Sequence, residues 1–118
     1  MIPKKLLGKF GEKNACKYLE ELGYKIFEEN YHCRYGEIDI IAGKNNTVYF
    51  FEVKTRQIKC FGEPEEAIDN SKLKKIFLTA RHYISSNNLY GMDFRFDAIS
   101  LIVRNNKISV RHIEDIIQ

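Results

Sequence analysis

The sequence of 118 residues predicts an α/β domain, a mixed β-sheet with helices packed on it, and three observations carry that prediction. Two segments, 4–22 and 71–87, place apolar residues at helical spacing. Two neighbouring runs, 36–43 and 47–54, read as strands and flank an Asn-Asn pair. The resulting order, α-β-β-β-α-β-β, is that of a layer domain with a single core.

The first helix, 4–22, stops at Gly23, a natural C-terminal residue. Its inward face runs through Leu22, Leu19, Tyr18, Ala15, Glu12, Gly11 and Gly8, and its outward face carries Lys13, Lys17, Glu20 and Glu21. YKIFEENY (24–31) follows as a strand. GEIDIIAG (36–43) and TVYFFEVK (47–54) form a hairpin around Asn45-Asn46, because asparagine tolerates the positive φ of a tight turn. The second helix, 71–87, is expected to start on Ser71 as N-cap and to bury Leu73, Ile76, Phe77, Ala80, Tyr83 and Ile84. DFRFDAISLIV (93–103) and 107–113 close the sheet as a hairpin around Asn105-Asn106. Pro64 sits in a turn-like stretch, CFGEPEE.

Length admits one domain, 1–118, and one core. Hydrophobic residues at 44% and charged residues at 30% are a globular balance. The net charge of +3 permits a polyanionic partner without demanding one. Cys16, Cys33 and Cys60 are odd in number and lack CxxC spacing, which argues against a disulfide framework or a zinc site and for reduced thiols. No apolar run suits a signal peptide or a membrane helix, so a cytoplasmic protein with no membrane partner is expected. The oligomeric state stays open, a homodimer being one state the sequence permits.

The chemistry gathers in the first hairpin. With a two-residue turn at Asn45-Asn46, Asp39 faces Glu52 and Glu37 faces Lys54 on one face, together with Ile41, Val48 and Phe50. Ile38, Ile40, Tyr49, Phe51 and Val53 make the other face. Carboxylates set directly opposite each other repel, so Asp39 and Glu52 invite a cation between them. A hard divalent ion such as Mg2+ or Mn2+ suits oxygen ligands, and Lys54 reaches the same space to stabilise an attacking hydroxide or a phosphate. The other reading of these residues is a solvent-facing stripe of cross-strand ion pairs. Glu12 lies on the inward face of the first helix between small residues and points toward the same site, unless the helix end overhangs the core.

GKFGEKNACKYLEELGYKI, Asn30, RYGEIDIIAG, VYFFEVKTR, Phe61-Gly62 and RFDAI, taken in order, resemble the YraN-like family of uncharacterised bacterial proteins. That family looks like a compact branch of the PD-(D/E)xK nuclease superfamily, with its restriction-endonuclease-like fold, and is similar to the archaeal Holliday junction resolvases. The resemblance implies that Asp39 and Glu52 are the acidic ligands, that the Val53 main-chain carbonyl joins them, that Lys54 is the catalytic lysine and that Glu12 is the helix glutamate of the resolvase-like branch. The superfamily's proline before the aspartate is Ile38 here, a departure at a position that carries no chemistry.

The expected protein is thus a Mg2+- or Mn2+-dependent endonuclease acting on DNA, selecting structure rather than sequence. Its catalytic residues are Asp39, Glu52 and Lys54, its metal ligands Glu12, Asp39, Glu52 and Val53, and Glu37 supports them. The alternative is a catalytically inactive nucleic-acid-binding or protein-interaction module that keeps the fold. Arg34, Arg56 and Lys72 are candidate phosphate contacts, each with a plainer reading as a solvated charge. Lys74, Lys75 and Arg81 share the second helix with Lys72, and Tyr31 and Tyr35 beside Arg34 are candidates for base stacking or for covering the core edge. Asp97 is either structural or a support of the site.

Overall fold

The computed structural model describes residues 3–57 and 69–117. The turn at Pro64, Phe61-Gly62 and Cys60 lie outside the described residues. The elements are α1 (Lys4–Glu21), β1 (Lys25–Cys33), β2 (Gly36–Lys44), β3 (Thr47–Gln57), α2 (Asn70–Ser86), β4 (Asp93–Arg104) and β5 (Lys107–Ile113). They have the expected order, with β3 running on past its expected end at Lys54 to Gln57.

Local chemistry sets the element boundaries. Gly23 takes φ +94, its N–H donates to the Glu20 carbonyl and that of Tyr24 to the Leu19 carbonyl, both at 3.0 Å, which closes the end of α1. Leu22 has already left the helical face there and is 45% exposed rather than inward; Cys16 and Leu7 are buried instead. The N-cap of α2 is Asp69, not Ser71: its carboxylate accepts the Lys72 N–H at 2.8 Å, so the helix begins one residue before Ser71. Asn45-Asn46 and Asn105-Asn106 all have positive φ, the geometry of two-residue hairpin turns.

The sheet has the order β1-β2-β3-β4-β5, antiparallel throughout except for the parallel pair β3–β4. The crossover between that pair contains α2. On one face α1 contributes Ala15, Cys16 and Leu19 to a core with Ile40, Ala42, Phe51, Ile99 and Leu101. On the other, α2 contributes Ile76, Ala80 and Tyr83 to a core with Ile41, Val48 and Phe50. Each fully buried Phe or Ile in these layers stabilises the fold by roughly 1.5–3 kcal/mol. Phe77 is 42% exposed, at the rim of the α2 core rather than in it. This architecture is consistent with a restriction-endonuclease-like fold. Among the described residues no helix is long and apolar enough to cross a membrane.

Two features bring the acidic residues together. Gly11 lies so close to β3 that a Cβ built on it falls 1.6 Å from Thr55 Oγ1; only glycine lets α1 lie there, whereas Gly8 faces open space. And the β2–β3 ladder has the expected register from Lys44↔Thr47 to Ile40↔Phe51, then ends. Beyond it β2 pairs only with β1, as far as Cys33↔Gly36, while β3 continues with β4 to Gln57↔Val103. The two central strands fork.

Candidate active site

The fork begins at Asp39. Its carboxylate accepts the Val53 N–H at 2.8 Å, taking the place of a main-chain carbonyl on β2. Asp39 and Glu52 are therefore not ladder partners as the extrapolated register has them, but flank the mouth of the fork. The strict alternation of β2 breaks at the same point: Ile38 packs in the α2 core with Ile41, not with Ile40 on the α1 side. Asn30, across from this point on β1, takes φ +52, so both strands bend together. A residue's N–H and C=O point to the same neighbouring strand. Since the Val53 N–H meets Asp39, the Val53 carbonyl also faces the fork.

Glu52 and Glu12 both act on Asp39 here. Glu52 is buried at 7% exposure. Burial, then the Glu52 charge, push the Asp39 carboxyl up to about 7, with Glu12 adding to the rise and the Val53 N–H and Lys72 opposing it. Glu12 is half-buried on α1 and is close enough for its charge to act on Asp39, as the inward helix face implies. Lys54, half-buried, lies two residues past Glu52 on β3, and Arg56 two further, so alternation puts both on the Glu52 side.

Lys72 reaches across from the first turn of α2, and its Nζ pairs with Glu52 Oε1. Burial works to lower the Lys72 ammonium, but the bond to Glu52 and the charges of Glu52, Asp39 and Glu37 outweigh it, and the net shift is upward. Among the described residues no three His, Cys, Asp or Glu side chains form a group that could hold a metal ion, and Glu52 is turned toward Lys72. Glu37 does not face Lys54. It pairs at 2.8 Å with His32, its ladder partner on β1, and both are exposed. Arg34 lies apart from the fork at the β1–β2 turn, its guanidinium 4.8 Å from the Tyr35 ring centroid.

Asp39, Glu52, Glu12 and the Val53 carbonyl are hard oxygen donors of the kind a divalent cation takes, and in this arrangement Glu52 is in contact with the Lys72 ammonium.

Asp97 belongs elsewhere. It is fully buried, accepts from the Asp115 N–H at 3.0 Å, meets His112 Nε2 at 2.7 Å and lies 3.7 Å from Arg95 Nε. Arg95 also pairs with Asp115 at 3.2 Å. This cluster clamps residues 114–117 onto β4, helped by the Ile116 N–H on the Phe96 carbonyl. The role is structural. The sequence does carry a signal for it, since the Asn105-Asn106 turn fixes β4 against β5 and carries His112 toward Asp97.

The sequence model of the uncharacterised protein family UPF0102 matches residues 11–101. Proteins that carry this family's designation include one from Sulfurihydrogenibium sp. (strain YO3AOP1), 48% identical over 92% of this chain and 90% of its own length. Another, from Caldanaerobacter subterraneus subsp. tengcongensis, is 42% identical over 98% and 95%. A third, from Persephonella marina, is 43% identical over 92% and 93%.

Proposed function

The chain belongs to the UPF0102 family, and from that premise we propose that it is a divalent-metal-dependent nuclease that hydrolyses phosphodiester bonds of DNA, selecting structured or branched substrates. The observation that supports this reading is the fork: Asp39 accepts the Val53 N–H and lies within reach of the Glu52 and Glu12 charges, Lys54 follows two residues past Glu52, and the Gly11–Thr55 contact holds α1 against β3. Asp39, Glu52 and the Val53 carbonyl would hold Mg2+ or Mn2+, with Glu12 behind them. The ion would supply Lewis acidity and a water of lowered pKa. The Lys54 ammonium stabilises the charge that develops on the attacking oxygen and the phosphoryl group. Burial of Glu52 keeps bulk water from screening these charges. Lys72, which pairs with Glu52 here, would be available to neutralise a phosphate wherever Glu52 turned to the ion instead.

The Lys72–Glu52 contact also favours a second reading, a nucleic-acid-binding module in which Lys72 permanently replaces the metal. One experiment separates them. Plasmid and synthetic branched DNA are incubated with Mg2+ or Mn2+ and with wild type, Glu52→Gln and Lys54→Met. Metal-dependent cleavage by wild type, lost in both variants at unchanged far-UV spectra, is expected. Cleavage retained by both purified variants removes these residues from the mechanism.

A further inference from the structure

A second site lies along α2. Between the second half of this helix and the start of β4 runs an open groove of about 610 Å³, within the range of small-molecule sites. Tyr35, Phe77 and Tyr90 line it, three of the seven exposed large hydrophobic side chains among the described residues, and Tyr90 is 68% exposed. Exposed apolar surface gathered in one place marks a binding surface, whereas the same side chains scattered singly do not. The polar lining is basic: Arg81 and His82 border the groove, and no carboxylate does among its described lining. His82 meets the Tyr35 ring at 6.3 Å between centroids, and the Arg34 guanidinium also lies over that ring.

The groove and the fork lie at the two ends of one edge of α2. Lys72 touches Glu52 at one end, and His82 meets Tyr35 at the other, ten residues or about 15 Å of helix away at roughly 1.5 Å per residue. Between them the edge is packed against Gly36 of β2, and Thr79 is fully buried there.

We propose that the groove stacks unpaired bases of a DNA single strand on Tyr35 and Tyr90, with Arg81 beside them for the phosphates that join those bases. The occupant follows from chemistry. Aromatic faces beside Arg81, with no carboxylate in the groove's described lining, match a chain of planar bases joined by phosphates. The intact duplex hides its base faces, so the groove favours DNA with an unpaired tail or opened branch. The meaning for substrate choice rests on the nuclease reading; the binding itself does not.

The test is therefore made in EDTA. Fluorescence anisotropy measures binding of a labelled blunt duplex and of the same duplex with a single-stranded tail, a 2-aminopurine in the tail reporting stacking. Wild type should prefer the tailed DNA and quench the 2-aminopurine. Tyr90→Ala, at an exposed position that the core does not need, should weaken the tailed complex by about 5- to 160-fold, the range for a lost base–aromatic stack. It should leave the blunt duplex unchanged, and Tyr90→Trp should restore the preference. Equal loss on both DNAs, unchanged affinity for the tailed one, or a change of sedimentation coefficient without tail preference (a second copy in the groove) overturns the proposal. Wild type that prefers the tail yet cleaves nothing with Mn2+ keeps the groove and sinks the nuclease reading; cleavage without tail preference does the reverse.

Discussion

Asp39 on β2 and Asp97 on β4 are both carboxylates drawn into the same sheet, yet their surroundings are opposite. Asp97 has a main-chain N–H, His112 and Arg95 around it, all supplied by β4, β5 and the segment after them. Asp39 has one N–H from Val53, and its other near neighbours include Glu52 and Glu12. A carboxylate neutralised by its own chain holds structure together. One surrounded by further carboxylates stores repulsion that an external cation can relieve. Fold and candidate function thus separate within one sheet by who supplies the positive charge.

The largest expected effect breaks the structural side of this comparison. Asp97→Ala leaves Arg95 and His112 facing an empty buried position and frees the Asp115 N–H. It should cost about 3–5 kcal/mol, the scale for removing one partner of a buried ion pair. Urea unfolding measures it, and a cost under about 1 kcal/mol would show that the clamp is incidental.

Next comes the pH dependence of the acidic side. The folded state raises the Asp39 carboxyl from 3.8 to about 7, so it favours the protonated form. The stabilisation this gives is fully present below about pH 4 and is lost as pH climbs through 7. By the linkage of about 1.36 kcal/mol per pKa unit, the loss is at most about 4 kcal/mol. In EDTA, Asp39→Asn should flatten this dependence. It should also stabilise the protein at pH 8 by at least the roughly 0.5–1 kcal/mol of a relieved like-charge neighbour. Excess Mg2+ should raise the melting temperature of wild type far more than that of the variant. A variant less stable than wild type in EDTA at pH 8 would show that Asp39, like Asp97, serves the fold.

The smallest effect tests the periphery of the site. Glu12→Gln keeps the shape and removes one of the three charges. Metal affinity by calorimetry should drop about tenfold, the scale for groups just behind the ligands. Equal affinities would make Glu12 a bystander.

The strand pairing around Asn45-Asn46 is legible in the sequence because an Asn-Asn turn fixes register and the alternating apolar residues repeat it. Glu12 on the inward face is legible too, since Gly11 beside it permits the close approach to Thr55. The fork is not. Periodicity extends a ladder indefinitely, and only the Asp39 side chain, replacing a main-chain acceptor, ends it. For the same reason periodicity puts Ile38 in the wrong layer and gives Glu37 the wrong partner. The Lys72–Glu52 pair is illegible because it depends on how α2 returns after the crossover, which no local pattern encodes. Cys16 is the plain thiol that its spacing implies: burial, with Glu29 beside it, pushes the thiol up to about 12.

The parallel pairing of β3 with β4 also orders events in time. α1, β1, β2 and β3 are joined by short turns, and they hold Glu12, Asp39, Glu52 and Lys54 between them. β4 must wait for a long loop to close, and non-local pairing of that kind is the slow step in folding. Pulsed hydrogen exchange should therefore protect the β2–β3 amides before those of β4; simultaneous protection would refute the sequence of steps. On a growing chain Glu12, Asp39, Glu52 and Lys54 are all made before Lys72 and the residues of the Asp97 clamp, so the acids exist before the lysine that pairs with Glu52.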